Sequence, residues 1–320
     1  MRKFLGIAVI AACCAAFAAS PVSAESLKIT VGQKGLWNSD FYEFAQDQGF
    51  FKEAGLDVEI LYTDGGAATL QPAITGDIDI ACTNGFLGVI AAYVKGAPIR
   101  VISAEAKGAG EIFWYVKAGS AIKSIKDATN KSIGFSTPGS SSNLVLLALL
   151  AQEKVKANPV PTGNGQATLT QAMTGQVDIG WAAAPLALTE VDAGSLRIVA
   201  HGSDVASMRN ETVRVNVANL NSLTTKRDAI IRFVKADQKA IEWAYKDPRA
   251  IDYFAEHINI SRALAERTVK EFYPQDNYRL DQISGVQNVL TEAYETKRID
   301  SAMTPDQIKG LFDLVLLPAH

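Results

Sequence analysis

The chain has 320 residues, 48% of them apolar and 20% charged, with a formal net charge of −3. The acidic balance argues against nucleic acid as a partner, and a chain this long can bury cores of its own without disulfides. Its three cysteines and three histidines form no cluster with metal spacing.

At the N-terminus, Met1-Arg2-Lys3 precedes an apolar run from Phe4 to Ala19, then Pro21 and the small residues Val22-Ser23-Ala24. This is the pattern of a signal peptide, predicting removal of residues 1–24 and export of the rest. A membrane-spanning helix needs about 20 apolar residues, and this run is shorter and stops at Pro21. Ile10-Ala11-Ala12-Cys13 also fits a lipoprotein cleavage box, although Ala-rich sequence continues past Cys13. Cleavage after Ala24 would take the net charge to −5 and leave Cys82 as the one cysteine.

"LKITVG" from Leu27 reads as an alternating strand, followed by the loop "QKGLWNSD" and an amphipathic helix with Phe41, Phe44 and Ala45. Gly49 ends that helix, and Leu56, Val58 and Ile60 make a second strand. Together these are a right-handed βαβ unit with parallel strands. Next come "TDGGAATLQPAITGDIDI" (Thr63 to Ile80), a helix in "FLGVIAAYVKG" and a strand in "IRVISAEA". An open, mostly parallel sheet is expected.

The stretch Thr63–Ile80 returns at a constant offset of 99 as "TGNGQATLTQAMTGQVDI", Thr162 to Ile179, with ten of eighteen residues identical. Each copy reads as a Gly-containing loop, a helix stopped by Gly76 or Gly175, and a short apolar strand. The apolar helix positions are Leu70, Ala73 and Ile74 in one copy and Leu169, Ala172 and Met173 in the other. The period is too long for a solenoid, whose repeats run about 20 to 50 residues. Two similar lobes are the inference.

Before the second copy lie a strand Ser132–Ser136, the loop "TPGSS" and a helix from about Ser142 to Lys154; "SLRIVAHGSD" follows as one more strand. "EIFWYVKAG" (Glu111–Gly119) and "ETVRVNVANL" (Glu211–Leu220) are rich in β-branched and aromatic residues, as strands are. Thereafter the chain turns helical. Thr225 is a candidate cap for the next helix, Ser261 for a later one, and Thr304 with Gln307 for a last one. The expected role of these helices is packing back on the first lobe.

"QGFFKEAGLDVEI", then "GDIDIACTN", then "PIRVISA", in this order and spacing, resemble the periplasmic solute-binding proteins of ABC importers in the nitrate/sulfonate/taurine group, including those of the thiamine-pyrimidine-precursor type. The resemblance covers nearly the whole mature chain, most specifically residues 46 to 103, through structural motifs. It implies a type II, two-lobed α/β fold with open, mostly parallel sheets, lobe 1 from 25–112 and 218–320 and lobe 2 from 113–217. The two β-rich stretches then become crossover strands and hinges. It further implies a periplasmic location, a small-molecule ligand, ABC permease partners, a monomer and no cofactor.

In open α/β sheets ligands collect where strand ends meet helix N-termini, whose free N–H groups hold anions. This selects Gly65, Gly66, Thr83 and Asn84 in lobe 1 and Ser136, Thr137, Gly139, Ser140, Ser141, Gly165, Gln166 and Ala183 in lobe 2. The serine-rich loop offers hydroxyls and amides as an oxyanion cradle, and Ser141 or Ser142 can equally be a plain N-cap. Trp37 and Trp181 either cover a ligand or pack the lobes. Asn38 is a neutral donor and acceptor, while Arg214 is either a bidentate partner for an acid group or a solvated strand residue. Glu105, Lys107 and Glu111 carry the same alternatives.

No G-x-S-x-G or P-loop is present, and His201, His257 and His320 fall outside the expected cleft loops. Asp77 and Asp79 read as the polar face of a half-buried strand. The expected function is capture of a small anion, such as a sulfonate, taurine or nitrate, without catalysis. A neutral heterocycle such as a pyrimidine precursor is the alternative ligand; an enzyme of pyrimidine-biosynthesis type and a sensor module are the alternative classes.

Overall fold

The structure is a computed structural model describing residues 24–316, so residues 1–23 of the segment read as a signal peptide, with Cys13 and Cys14, and His320 lie outside the described residues. The chain begins with β1 (Glu25–Gly32), α1 (Phe41–Asp47), α2 (Phe50–Glu53), β2 (Leu56–Thr63), α3 (Ala67–Thr75), β3 (Ile80–Gly85), α4 (Phe86–Val94) and β4 (Ile99–Lys107). It crosses into β5 (Ile112–Lys117), β6 (Ser132–Phe135), α5 (Ser141–Glu153), β7 (Asn158–Pro161), α6 (Gly165–Thr174), β8 (Gly180–Ala183), α7 (Leu188–Asp192) and β9 (Leu196–His201). It returns through β10 (Thr212–Asn219) to α8 (Leu220–Thr225), α9 (Arg227–Lys246), α10 (Arg249–His257), α11 (Arg262–Phe272), α12 (Val286–Glu295) and α13 (Pro305–Leu311).

The first sheet has the order β2-β1-β3-β10-β4. In the second, β8-β5-β9 hydrogen-bond together, β6 pairs with β7, and a bridge from Ile133 to Ile179 joins the two groups just before β8. The resulting order, β7-β6-β8-β5-β9, matches the first sheet strand for strand. In each, the second strand from one edge is the first strand formed after a crossing between the lobes, and it runs antiparallel to both neighbours. Four of the five strands in each sheet therefore run in one direction, with only β10 or β5 opposed, as expected of open, mostly parallel sheets.

Sheet membership also locates the crossings. β5 and β10 lie wholly inside sheets, so the crossings are short: Gly108–Glu111 outward, and Asn210–Glu211 on the return, with Gly108 N–H donating to Glu211 O at 2.9 Å. A boundary between 217 and 218 would cut β10 in two, and sheet membership places the return at Glu211 instead. A rotation absorbed along 111–119 and 211–220 would break ladder hydrogen bonds of β5 and β10.

The repeat identities have structural causes. The Thr63 hydroxyl bonds that of Thr69 at 2.7 Å, and Thr162 bonds Thr168 at 2.7 Å, tying strand end to helix start in both lobes. Gly76 and Gly175 end the helices at φ 87° and 81°, a conformation that favours glycine. Asp79 accepts from Lys28 N–H at 2.9 Å and Asp178 from Ser132 N–H at 2.9 Å, each holding the first strand of its sheet. Asp79 also accepts from Ser222 and Lys226 and precedes β3, so the Asp77/Asp79 pair is not a strand's polar face. Met173, expected on the apolar stripe, is 44% exposed.

Ser261 caps α11, and Thr304 with Gln307 forms a capping box on α13, as their spacing predicts. Thr225 caps nothing: it ends α8, a helix whose cap is Asn219, and α9 starts at Arg227. The C-terminal helices cover the first sheet but also reach the second lobe. Arg267 pairs with Asp192 at 2.8 Å, and Tyr273 donates to Ala184 O at 2.5 Å.

Candidate functional site

The carboxyl ends of β1, β3, β6 and β8 converge on a cavity of about 40 Å³. Asn38, Gly65, Gly66, Thr83 and Arg214 line it from the first lobe, and Ser136, Ser140, Ser141, Trp181 and Ala183 from the second. Ser140, not Ser141 or Ser142, is the N-cap of α5, accepting from Asn143 N–H at 3.2 Å. Ser142 Oγ accepts from Ser136 N–H at 2.9 Å, which folds the loop back and leaves the opening N–H groups of α5 without helical acceptors. A Cβ at Gly85 would stand 2.7 Å from Ser141 N, so only glycine there lets β3 approach the start of α5 this closely.

Thr83 has φ 60°, a strained value for a β-branched residue. Its Oγ1 accepts from Gly32 N–H at 3.0 Å, and its own N–H donates to Asn216 Oδ1 at 3.1 Å. These bonds hold the hydroxyl in the cavity wall.

Four buried polar atoms on this wall have no partner among the described residues: Asn38 Oδ1, Ser136 Oγ, Trp181 Nε1 and Arg214 Nη1. Leaving one such atom dry costs about 1–3 kcal/mol, and here both lobes contribute them to one hollow. Arg214 is 7% exposed, and its other terminal nitrogen, Nη2, pairs with Glu111. Burial pushes the Glu105 carboxyl up to about 7 against the pull of Arg214 and of Asn38, which donates to Glu105 at 2.8 Å. The same carboxylates raise Arg214 above its ordinary value despite burial, so it stays charged.

The remaining predicted residues lie elsewhere. Trp37 is fully buried among Phe41, Phe44, Tyr245 and Phe254 and belongs to the first lobe's core, because the loop folds inward beneath α10. Asn84 and Gly139 line a groove on one flank of the cavity, and Gly165 and Gln166 a hollow of about 630 Å³ on the other. Thr137 abuts Gly66, where a Cβ would come within 1.8 Å of its hydroxyl. Lys107 is half-buried and lines none of these hollows. Gly32, Gln33, Leu36, Ser39, Gly85 and Ser142 also line the cavity. The strand-end rule covers Gly32 and Gly85 when strands are carried to their last residue.

The lobes are in contact around this hollow. Gly88 N–H donates to Gly139 O at 3.0 Å, and Asn164 Nδ2 donates to Asp64 Oδ1 at 2.8 Å. The two copies of the repeated stretch thus face each other.

The family described as NMT1/THI5 like matches residues 38–251. No curated protein matches the chain. Among solved structures, the alkanesulfonate-binding protein SsuA from Xanthomonas axonopodis pv. citri bound to MOPS is similar at 19% identity and TM-score 0.70, covering 85% of this chain and 92% of that one. The ligand-binding component of an ABC-type import system from Staphylococcus aureus with zinc bound is similar at 16% identity and TM-score 0.74, covering 91% and 97%. The periplasmic nitrate-binding protein NrtA from Synechocystis PCC 6803 is similar at 13% identity and TM-score 0.69, covering 90% and 85%. At these identities the likeness shows the periplasmic-binding-protein fold.

Proposed function

The chain belongs to the NMT1/THI5-like family, and from that premise we propose that it is the extracytoplasmic solute-binding component of an ABC importer, capturing a small oxyanion such as a sulfonate, taurine or nitrate between its lobes. The observation that carries this reading is the set of buried polar atoms in the interlobe cavity without a protein partner among the described residues, three of which can donate: Arg214 Nη1, Trp181 Nε1 and the Ser136 hydroxyl. With the start of α5 they form a donor-rich shell suited to an oxyanion. Zinc, as bound by one similar structure, needs His, Cys or carboxylate ligands, and no three of these gather among the described residues. The ligand's contacts to both lobes favour the closed form, which is then presented to the permease.

Catalysis is not part of the proposal. His257 is engaged with Asp40 at 3.0 Å and His201 packs on Phe113, both away from the cavity lining.

A second ligand reading rests on the pairing of Arg214 with Glu111, which already balances the cavity's cation. A neutral heterocycle would meet that balance without a net charge to accommodate. A thermal-shift panel of sulfonates, taurine, nitrate, carboxylates and pyrimidines separates the two, since a ligand that binds only the folded form raises the melting temperature. The oxyanion reading expects a rise with a sulfonate or nitrate that Ser136→Ala removes. A rise with pyrimidines alone overturns the anion, and no rise with any compound counts against capture of these ligand classes.

A further inference from the structure

On one flank of the central cavity lies a groove of about 640 Å³, within the range of about 300–1,000 Å³ typical of small-molecule sites. The first lobe supplies an apolar wall through Leu70, Ile74 and Ala92, and the second lobe closes it with Pro138 and Gly139. Three cations, Lys95, Lys297 and Arg298, are among its lining residues, which include no Asp or Glu. The hollow on the other flank, by contrast, mixes Lys34 with Asp64 and Glu190.

Two buried polar groups without a protein partner among the described residues point to an occupant. Asn84 is 2% exposed, and neither atom of its amide has a partner among the described residues. Arg298 donates through Nη2 to Asn143 Oδ1 at 2.8 Å, bonding across the lobes, while its buried Nε is unpartnered among the described residues.

The groove is separate from the central cavity. Gly66 and Gly85 line both, but at that divide the lobes touch: Gly66 meets Thr137, and Gly85 meets the backbone of Gly139 to Ser141. At about 640 Å³ against about 40 Å³, the groove has room for a bulkier molecule than the central cavity does.

We propose that this groove is a second binding site, taking an organic anion with an apolar body such as an aryl acid. Its acid group lies among Lys95, Lys297 and Arg298, its body lies on Leu70 and Ile74, and Asn84 bonds a polar substituent. Because both lobes line the groove, its occupant favours the closed form and tightens binding in the central cavity, and the reverse holds equally.

The test is fluorescence titration of the full mature chain with 8-anilinonaphthalene-1-sulfonate, an aryl sulfonate too large for the central cavity. Lys95 and Lys297 are exposed, so the Lys95→Glu/Lys297→Glu variant should keep the wild-type circular dichroism and melting temperature. Saturable binding to the native protein, weakened at least tenfold in that variant and also in Ile74→Gln, is expected. No binding, binding unchanged in the charge variant, or binding that Ile74→Gln leaves intact (surface ion pairing alone) overturns the proposal. Displacement of the dye by the best small ligand of the thermal-shift panel also overturns it, by placing the dye in the central cavity. These outcomes leave the receptor reading standing, which fails only through the panel itself.

Discussion

Glu105 couples the site to pH. Its carboxyl has an ordinary value of 4.5 and sits at about 7 in the fold, chiefly through burial. Between those values the native protein holds a proton that the unfolded chain has released, so stability falls as pH rises across that window. Glu105→Gln should flatten this decline in urea denaturation measured from pH 4.5 to 7. Burial also raises Asp237, which adds a decline of the same sign that this substitution leaves in place. An anion beside Arg214 is better tolerated when Glu105 is neutral, so its affinity should strengthen as pH drops through 7, and the Gln variant should lose that trend in calorimetric titration. Arg214 itself is a poor test of binding. Arg214→Met strands Glu111 in the interior and should cost about 3–5 kcal/mol of stability, read as a lower urea midpoint. Sequence spacing singled out Arg214 but left it poised between ligand partner and solvated strand residue. Only the fold, which carries β10 into the first sheet beside the cavity, decides that it is buried.

Helix starts separate structural from functional roles. Ser140 and Ser261 are both N-caps, and replacing either by Ala should cost about 0.5–2 kcal/mol in denaturant unfolding. Ser140→Ala should in addition weaken ligand binding, because it loosens the loop that aims the amides of α5, whereas Ser261→Ala should not. Equal effects of the two on affinity would remove α5 from the site. At this scale much was legible. The capping box at Thr304, the glycine stops at 76 and 175 and the βαβ opening all follow from local chemistry. Trp37 was not legible, because a tryptophan in a loop carries no local sign of whether the loop faces a cleft or folds under a helix. Thr225 failed as a cap for a related reason: its place as the last residue of α8 depends on Asn219 starting that short helix, a second cap six residues upstream.

For the molecule as a whole, the duplication visible at an offset of 99 predicts two matching sheets, and the shared strand order bears it out. The place of β10 inside the first sheet left no trace in hydrophobic pattern: its sequence TVRVNVAN alternates polar and apolar residues as a half-exposed strand does, yet β10 is buried at all eight positions. The crossings between the lobes are only a few residues long, Gly108–Glu111 and Asn210–Glu211, and Gly88 packs on Gly139 where the lobes meet. Gly88→Ala would put a Cβ 2.9 Å from Gly139 O only when the lobes are shut. It should therefore weaken ligand binding by tenfold or more while lowering the melting temperature of the ligand-free protein little.

Closure around a guest is the central claim, and a distance between the two lobes tests it most directly. Thr75 and Thr174 are equivalent positions of the repeat, both exposed, and Cys82 is fully buried and so spared by a thiol-directed label. Electron–electron double resonance between spin labels on Thr75→Cys and Thr174→Cys, recorded without and with the ligand that most raises the melting temperature, should show the distance distribution shift to shorter values and narrow. An unchanged distribution at saturating ligand would contradict the account.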